Sequence, residues 1–315
     1  MKILVIFTGG TIGSAAKDGF ISTDEGTKYA LLEGYRGEAE FETVSPYTVL
    51  SENLSATELN ALQADVAKHI GEGYDGIVVT HGTDTLQYSA AALEYAFAGC
   101  DLPVVLVSAA YPLEDERSNG HANFEGAVEF IRRKAGKGVF VSYRNEGSDE
   151  VQYHIASHIL QHGEGGSDLY SIGGSYGSYR DGKVNVYNRT LSGKGLGVVN
   201  YTADSGILVV ESHPGNSYGY SLENVRAVML KPYHSATLDT ANEGLAELCR
   251  RAREQGITVF VTGVKEGISY ESTKGFAALG IIPLPYGTHI SAFMKIWAGV
   301  SLGKDIAEWM KKDIG

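Results

Sequence analysis

Short apolar runs rich in β-branched residues alternate along this chain with longer stretches of helical period, and no other feature restricts its fold as much. "KILVIF" precedes a helical stretch at 57–70, "GIVVT" one at 85–98 and "PVVLVS" one at 119–134. That order predicts a parallel sheet with helices on both faces. The stretch at 57–70 carries its own start signals: Ser55 and Glu58 form a capping box, Leu54 and Leu59 a hydrophobic staple, and Leu59, Leu62, Val66 and Ile70 repeat along one face. The next helix begins at "DTLQ", where Asp84 is positioned to cap and Gln87 follows three residues on, and it ends before Gly99.

From about 139 to 190 the pattern turns polar, tyrosine-rich and glycine-rich, and "VQYHIASHIL" and "KVNVYNR" read as hairpins extending the sheet. In "LSGKGLG", at 191–197, both periodicities lapse, which marks a linker. A second alternating block follows, with strands in "GILVVES", "VRAVML" and "ITVFVT", a helix at 239–254 and closing helical segments at about 271–279 and 288–311. A chain of 315 residues exceeds the usual single domain, so we expect an N-terminal domain over 1–190, a linker over 191–206 and an αβ domain over 207–315.

Several function classes drop out on composition. A formal net charge of −12 opposes phosphate backbones, and no basic stripe interleaved with aromatics offsets it, which argues against nucleic acid as a partner. No apolar run is long enough to span a bilayer, and the opening "ILVIF" stops at Thr8, too short for a signal-peptide core. Cys100 and Cys249 stand isolated, without metal or redox spacing, as suits a reducing compartment. A cytoplasmic protein without membrane attachment is the expectation.

Two strands run into glycine-flanked threonines: "FTGGTIGS" at 7–14 and "THGTDT" at 80–85. Taken singly, each reads as a strand-to-helix turn in which glycine bends the chain and threonine or aspartate caps the helix. Taken together they lie where an open parallel sheet binds ligands, beyond the carboxyl ends of its strands. A hydroxyl nucleophile needs a donor and acceptor chain to take its proton and exposed amides to hold the oxyanion, and two facing loops of this kind supply both. "TGGTIG" lacks the Lys-Ser or Lys-Thr ending of a phosphate loop and the dinucleotide glycine spacing.

"ILVIFTGGTIGS" and "GIVVTHGTDTLQYSAAAL" resemble the two signature segments of the bacterial-type L-asparaginase (asparaginase and glutaminase) family, in the same order and separation, and the likeness extends more loosely through "PVVLVSAAYPLEDERSNGHANF" and the later block. The resemblance implies an α/β protein with an N-terminal doubly wound, mostly parallel sheet domain and a second, smaller C-terminal αβ domain. It also implies a homodimer or homotetramer whose subunits complete each other's sites. By position, Thr11 resembles the nucleophile that attacks the side-chain amide carbon of asparagine, giving an acyl-enzyme and ammonia before water releases aspartate. Thr83 resembles the second catalytic threonine, and Asp84 the carboxylate that holds the substrate α-ammonium. Ser51 resembles the serine that binds the α-carboxylate, and Glu52 stands where many members have glutamine. Gly10 and Gly82 flank the threonines as substrate-binding positions. On the residues alone, Ser51 and Glu52 also read as a loop preceding the Ser55 cap. The chemistry so implied takes a small amino-acid amide as substrate, with no metal or organic cofactor.

The chain departs from the family pattern in two places. Phe20 aligns with the tyrosine of the loop after the first motif, and a phenyl ring relays no proton; Tyr29 is the substitute nearest in sequence. No lysine falls between Lys137 and Lys183, where the family has one beside the second threonine; His154 and His158 occupy that neighbourhood, and an imidazole can act as a base. On a helix, His154, His158 and His162 would line up as zinc ligands, but the segment alternates like a strand, which spreads them too far for one metal, so a polar sheet face is the reading. Two alternatives to asparagine hydrolysis stay open: an amino-acid binding or sensing protein with little turnover, and an amidohydrolase for glutamine or another amide.

Overall fold

The computed structural model describes all residues except 11, 13, 18, 19, 24, 188–192, 266, 268, 269 and 313–315, with the backbone alone described at 14–17, 20–23 and 25–28. The chain forms two compact units, Met1–Val199 and Asn200–Lys312. In the first, β1 (Lys2–Phe7), β4 (Glu40–Val44), β5 (Gly76–Thr80), β6 (Val104–Val107) and β7 (Val139–Tyr143) are joined through α2 (Ala56–His69), α3 (Leu86–Phe97) and α4 (Gly120–Arg132). These five strands run parallel. The strands β8 (Val151–Ile155), β9 (Gly177–Arg180) and β10 (Lys183–Val186) continue the sheet antiparallel, in the order β10-β9-β8-β7-β6-β5-β1-β4. The hairpins read from the tyrosine-rich stretch are this antiparallel extension.

The unbroken apolar strands reflect cover on both faces. Ile3, Val5 and Phe7 of β1 join one buried cluster with Phe124, Val128 and Ile131 of α4, while Leu4 and Ile6 join the other with Leu62 and Val66 of α2 and Leu86 and Leu93 of α3. Each such aliphatic or aromatic side chain removed from water contributes about 1.5–3 kcal/mol. The sheet is therefore doubly wound. Its chain leaves β1 toward β4 on one side and returns to β5 on the other, so the order reverses at the β1/β5 pair. That reversal opens a crevice beyond the strand ends.

Local signals fix several helix ends. Ser55 and Glu58 make the expected reciprocal capping box, which contributes about 1 kcal/mol to α2. The segment following the first glycine motif, in contrast, builds a small antiparallel hairpin, β2 (Ser14–Lys17) and β3 (Phe20–Thr23), and then α1 (Glu25–Glu33).

The second unit is a four-stranded parallel sheet in the order β11-β12-β13-β14, formed by β11 (Ile207–Glu211), β12 (Ala227–Lys231), β13 (Thr258–Val261) and β14 (Ile281–Pro283). Its helices are α5 (Glu243–Glu254), α6 (Gly275–Leu279), α7 (His289–Ser301) and α8 (Ile306–Met310). The helix read from 239 starts later, because the Asn242 carboxamide accepts from the amides of Gly244 and Leu245 and sets the N-terminus there. The closing stretch read from 288 to 311 is two helices: Gly303 takes a left-handed φ of 62°, and Asp305 caps the second by accepting from the Glu308 amide. Among the described residues, no helix is long and apolar enough to cross a membrane.

Candidate active site

The site begins where β1 stops. The Thr8 hydroxyl donates to the Thr80 carbonyl at 2.6 Å, tying the end of β1 to the end of β5 across the crevice. Gly9 and Gly10 then turn with φ of 103° and 79°, torsions that L-residues adopt only under strain. The Gly10 amide donates to the Val49 carbonyl at 3.2 Å. A methyl group on Gly10 would lie 2.3 Å from the Gly82 nitrogen, so the two glycine loops meet backbone to backbone at this point. Thr11, next along the first loop, lies outside the described residues.

The second loop is braced from beneath. His81 is buried, with Nδ1 donating to the Gly82 carbonyl at 2.9 Å and Nε2 accepting from Ser89 Oγ at 2.8 Å, so the ring is the neutral Nδ1–H tautomer. Burial holds its pKa below the ordinary histidine value, consistent with that state. Thr85 occupies the N-cap of α3, yet its hydroxyl donates to the Ser51 carbonyl at 2.8 Å instead of capping. Ser51 Oγ donates to Asp84 Oδ2 at 3.3 Å, and Gln87 Nε2 donates to the Asp84 carbonyl at 2.9 Å. The cap expected of Asp84 is therefore absent, and its carboxylate is turned to Ser51. A methyl on Gly82 would come 2.4 Å from Ser51 Oγ, so glycine is required there for Ser51 to approach.

Thr83 and Asp84 open onto a cavity of about 510 Å³ that Tyr111, Glu146, His162 and Gly163 also line. Two buried asparagines tie together the segments after β6 and β7 that carry the lining residues Ala110 and Glu146. Asn119 accepts from the Ala110 amide at 2.9 Å and donates to the Arg144 carbonyl at 2.8 Å, and Asn123 donates to the Ser108 carbonyl at 2.8 Å while accepting from the Arg144 amide at 2.7 Å. The ends of β6 and β7 are thus held together where they face the cavity.

The remaining candidate residues lie as follows. Ser51 is buried, whereas Glu52 is exposed on the short turn Ser51–Asn53. Tyr29 sits on α1 with 63% of its surface exposed, and Phe20 belongs to β3, its side chain outside the described residues. His154 and His158 are not among the residues lining the cavity. His154 is buried: Ser171 Oγ gives its proton to the Gly174 carbonyl and so accepts from His154 Nδ1 at 2.9 Å, and burial pulls the imidazole pKa down to about 4. His158 ends the 3-10 turn Ala156–His158, and His162 lies in the loop beyond, so the spacing of four does not fall on a helix. Among the described residues, no group of three or more His, Cys, Asp or Glu side chains is arranged to hold a metal. Tyr111, Glu146 and His162 were not singled out for this cavity from the sequence. The first two follow the carboxyl ends of β6 and β7, the positions the ligand rule for open sheets marks; His162 carries no such signal.

Fold and crevice together define an α/β protein of the kind that binds small ligands at a strand-order reversal. Residues 2–158 match the family model described as asparaginase, N-terminal. Along 99% of its length the chain is 27% identical, over a 329-residue alignment, to an L-asparaginase of Thermococcus kodakarensis, of which 96% is covered. Over a shorter alignment of 133 residues it is 33% identical to L-asparaginase 1 of Escherichia coli, covering 40% of this chain and 39% of that protein. The solved thermostable L-asparaginase from T. kodakarensis superposes with a TM-score of 0.81 at 22% identity, covering 99% of this chain and 98% of that one, and so shares its fold. The chain belongs to the asparaginase family.

Proposed function

We propose that this protein is an amidohydrolase that converts L-asparagine to L-aspartate and ammonia through a threonine acyl-enzyme. The observation that carries the reading is the backbone contact of Gly10 with Gly82 at the strand-order reversal, beside a cavity holding Thr83 and Asp84. Thr11, one residue past that contact, is the nucleophile: its oxygen attacks the side-chain amide carbon, the C–N bond breaks, and ammonia leaves. Water then cleaves the ester. Asp84 takes the substrate α-ammonium by a charge-assisted hydrogen bond, and Ser51, already within 3.3 Å of Asp84, binds the α-carboxylate beside it. Glu52 tunes which amide is preferred.

The catalytic chemistry lies in residues 1–190, with 191–206 as linker and 207–315 as the second domain, in a homodimer or homotetramer of the cytoplasm. Free Cys100 and Cys249 accord with that compartment. Ammonia release by pure protein and by Thr11→Ala tests the proposal: the variant should lose at least about 10³-fold in rate, and equal rates end it. The missing lysine favours one second reading, a sensor that binds asparagine unchanged. Calorimetry with asparagine beside the ammonia assay separates the two, and glutamine run in parallel identifies the preferred amide.

A further inference from the structure

We infer that His162 is the proton acceptor of this site, taking through its Nε2 the proton that the Thr83 hydroxyl gives up. The inference rests on the amidohydrolase reading above and supplies the group that the absent lysine leaves wanting.

Three observations carry it. His162 lines the same cavity as Thr83 and Asp84. Its Nδ1 lies 2.9 Å from the Asp168 carbonyl, which can only accept, so the proton is on Nδ1 and the lone pair on Nε2. Among the described residues Nε2 has no hydrogen-bond partner although it is buried. A buried, unsatisfied acceptor normally costs stability, and on a cavity wall a catalytic role is one physical account of it. The loop that presents the ring is fixed: the ring packs on Tyr143 at 5.8 Å, Tyr143 donates to the Ser167 carbonyl at 2.6 Å, and Asp168 accepts from the Glu146 amide at 2.8 Å.

The charged surroundings suit a base. Burial pushes the His162 pKa below the ordinary 6.5, while its bond to the Asp168 carbonyl and the nearby Asp84 and Asp168 carboxylates oppose that shift. Glu146 lines the same cavity and adds a further carboxylate to it. The ring is therefore neutral at pH 7 and holds a proton during turnover.

In the deacylating step a water oxygen bonds to the acyl carbon as the C–O bond to Thr11 breaks. The water proton passes to Thr83 Oγ1 as the Thr83 proton passes to Nε2. The imidazolium returns its proton by the same path to the departing Thr11 oxygen, leaving aspartate and the starting enzyme.

The test is the pH profile of asparagine hydrolysis by wild type and His162→Asn, whose carboxamide keeps the bond to the Asp168 carbonyl but removes Nε2. The wild type should show an acid limb in kcat/KM below pH 6.5. The variant should lose that limb and about 10²–10⁴-fold in kcat, with aspartate binding by calorimetry nearly unchanged. Added imidazole should partly restore His162→Ala, in proportion to its free-base fraction. A variant with wild-type rate, or one that keeps the acid limb, overturns the assignment and leaves the amidohydrolase standing. A wild type that releases no ammonia from asparagine or glutamine overturns both. Nitrogen-15 spectra of the wild-type imidazole give an answer independent of any variant: an Nε2–H tautomer at neutral pH refutes the assignment.

Discussion

Gly10 concentrates the demands of the site in one position without a side chain. Its φ of 79° alone costs a non-glycine residue about 1–3 kcal/mol, and an added methyl would press on the Gly82 backbone at 2.3 Å. Gly73 has a similar φ of 86° but nothing within 4 Å, so it isolates the torsional part. Gly73→Ala should lower the urea-derived stability by about 1 kcal/mol and leave ammonia release intact. Gly10→Ala should lose more stability, and because an ångström of displacement at a reacting centre costs about 100-fold, kcat/KM should fall at least that far. Matching losses for the two variants would mean that the loops do not press on one another. The same contact explains a limit of sequence reading. Both glycines stand out in "TGGTIG" and "THGTDT", but that one touches the other across 72 positions follows only from the parallel register that sets β1 against β5.

Between secondary structures, what was readable divides by the range of the interaction. The capping box of α2 lies within four residues, Ser55 to Glu58, and was visible. The fate of Asp84 was not, because Ser51, 33 positions away, takes the carboxylate that local rules assign to a cap. The polar sheet face read for the three histidines fails for the same reason: only His154 lies on a strand, buried and bonded to Ser171, while His158 ends a 3-10 turn and His162 reaches the cavity through a loop held by Asp168 and Tyr143. The hairpin and helix between 14 and 33 follow the glycine motif in a stretch read from the sequence only as a loop. The clearest element-bridging residue is Asn123 of α4, fully buried, which joins the Ser108 carbonyl after β6 to the Arg144 amide after β7. Asn123→Ala would strand two buried backbone groups at about 1–3 kcal/mol each. Chemical denaturation should show a loss of about 2–6 kcal/mol, with KM raised because the segments after β6 and β7 that carry lining residues shift. A loss under about 0.5 kcal/mol, the size of an ordinary surface change, would refute that bracing role.

Over the larger unit as a whole, two buried titratable groups outside the cavity set opposite pH slopes. Glu94 of α3 is buried against the Ser157 amide, and desolvation raises its pKa from 4.5 to about 7. It folds protonated while the unfolded chain ionises, so its contribution is complete below pH 4.5 and is lost as pH rises toward 7. His154 runs the other way: burial lowers its pKa from 6.5 to about 4, so its contribution is complete above pH 6.5 and is lost as pH falls toward 4. From pH 4.5 to 6.5 the two slopes cancel, each about 1.4 kcal/mol per pH unit. Glu94→Gln keeps an acceptor for the Ser157 amide and removes only one of the slopes. Relative to wild type, its stability should be unchanged at pH 4.5, should climb through pH 6, and should lead by about 3 kcal/mol at pH 8. Urea midpoints at half-unit pH intervals measure the difference directly, since every group common to both proteins drops out of it. Parallel curves across that range would mean that Glu94 is already ionised in the folded state, where the Ser157 amide and hydroxyl beside it do not offset the desolvation of a buried carboxylate.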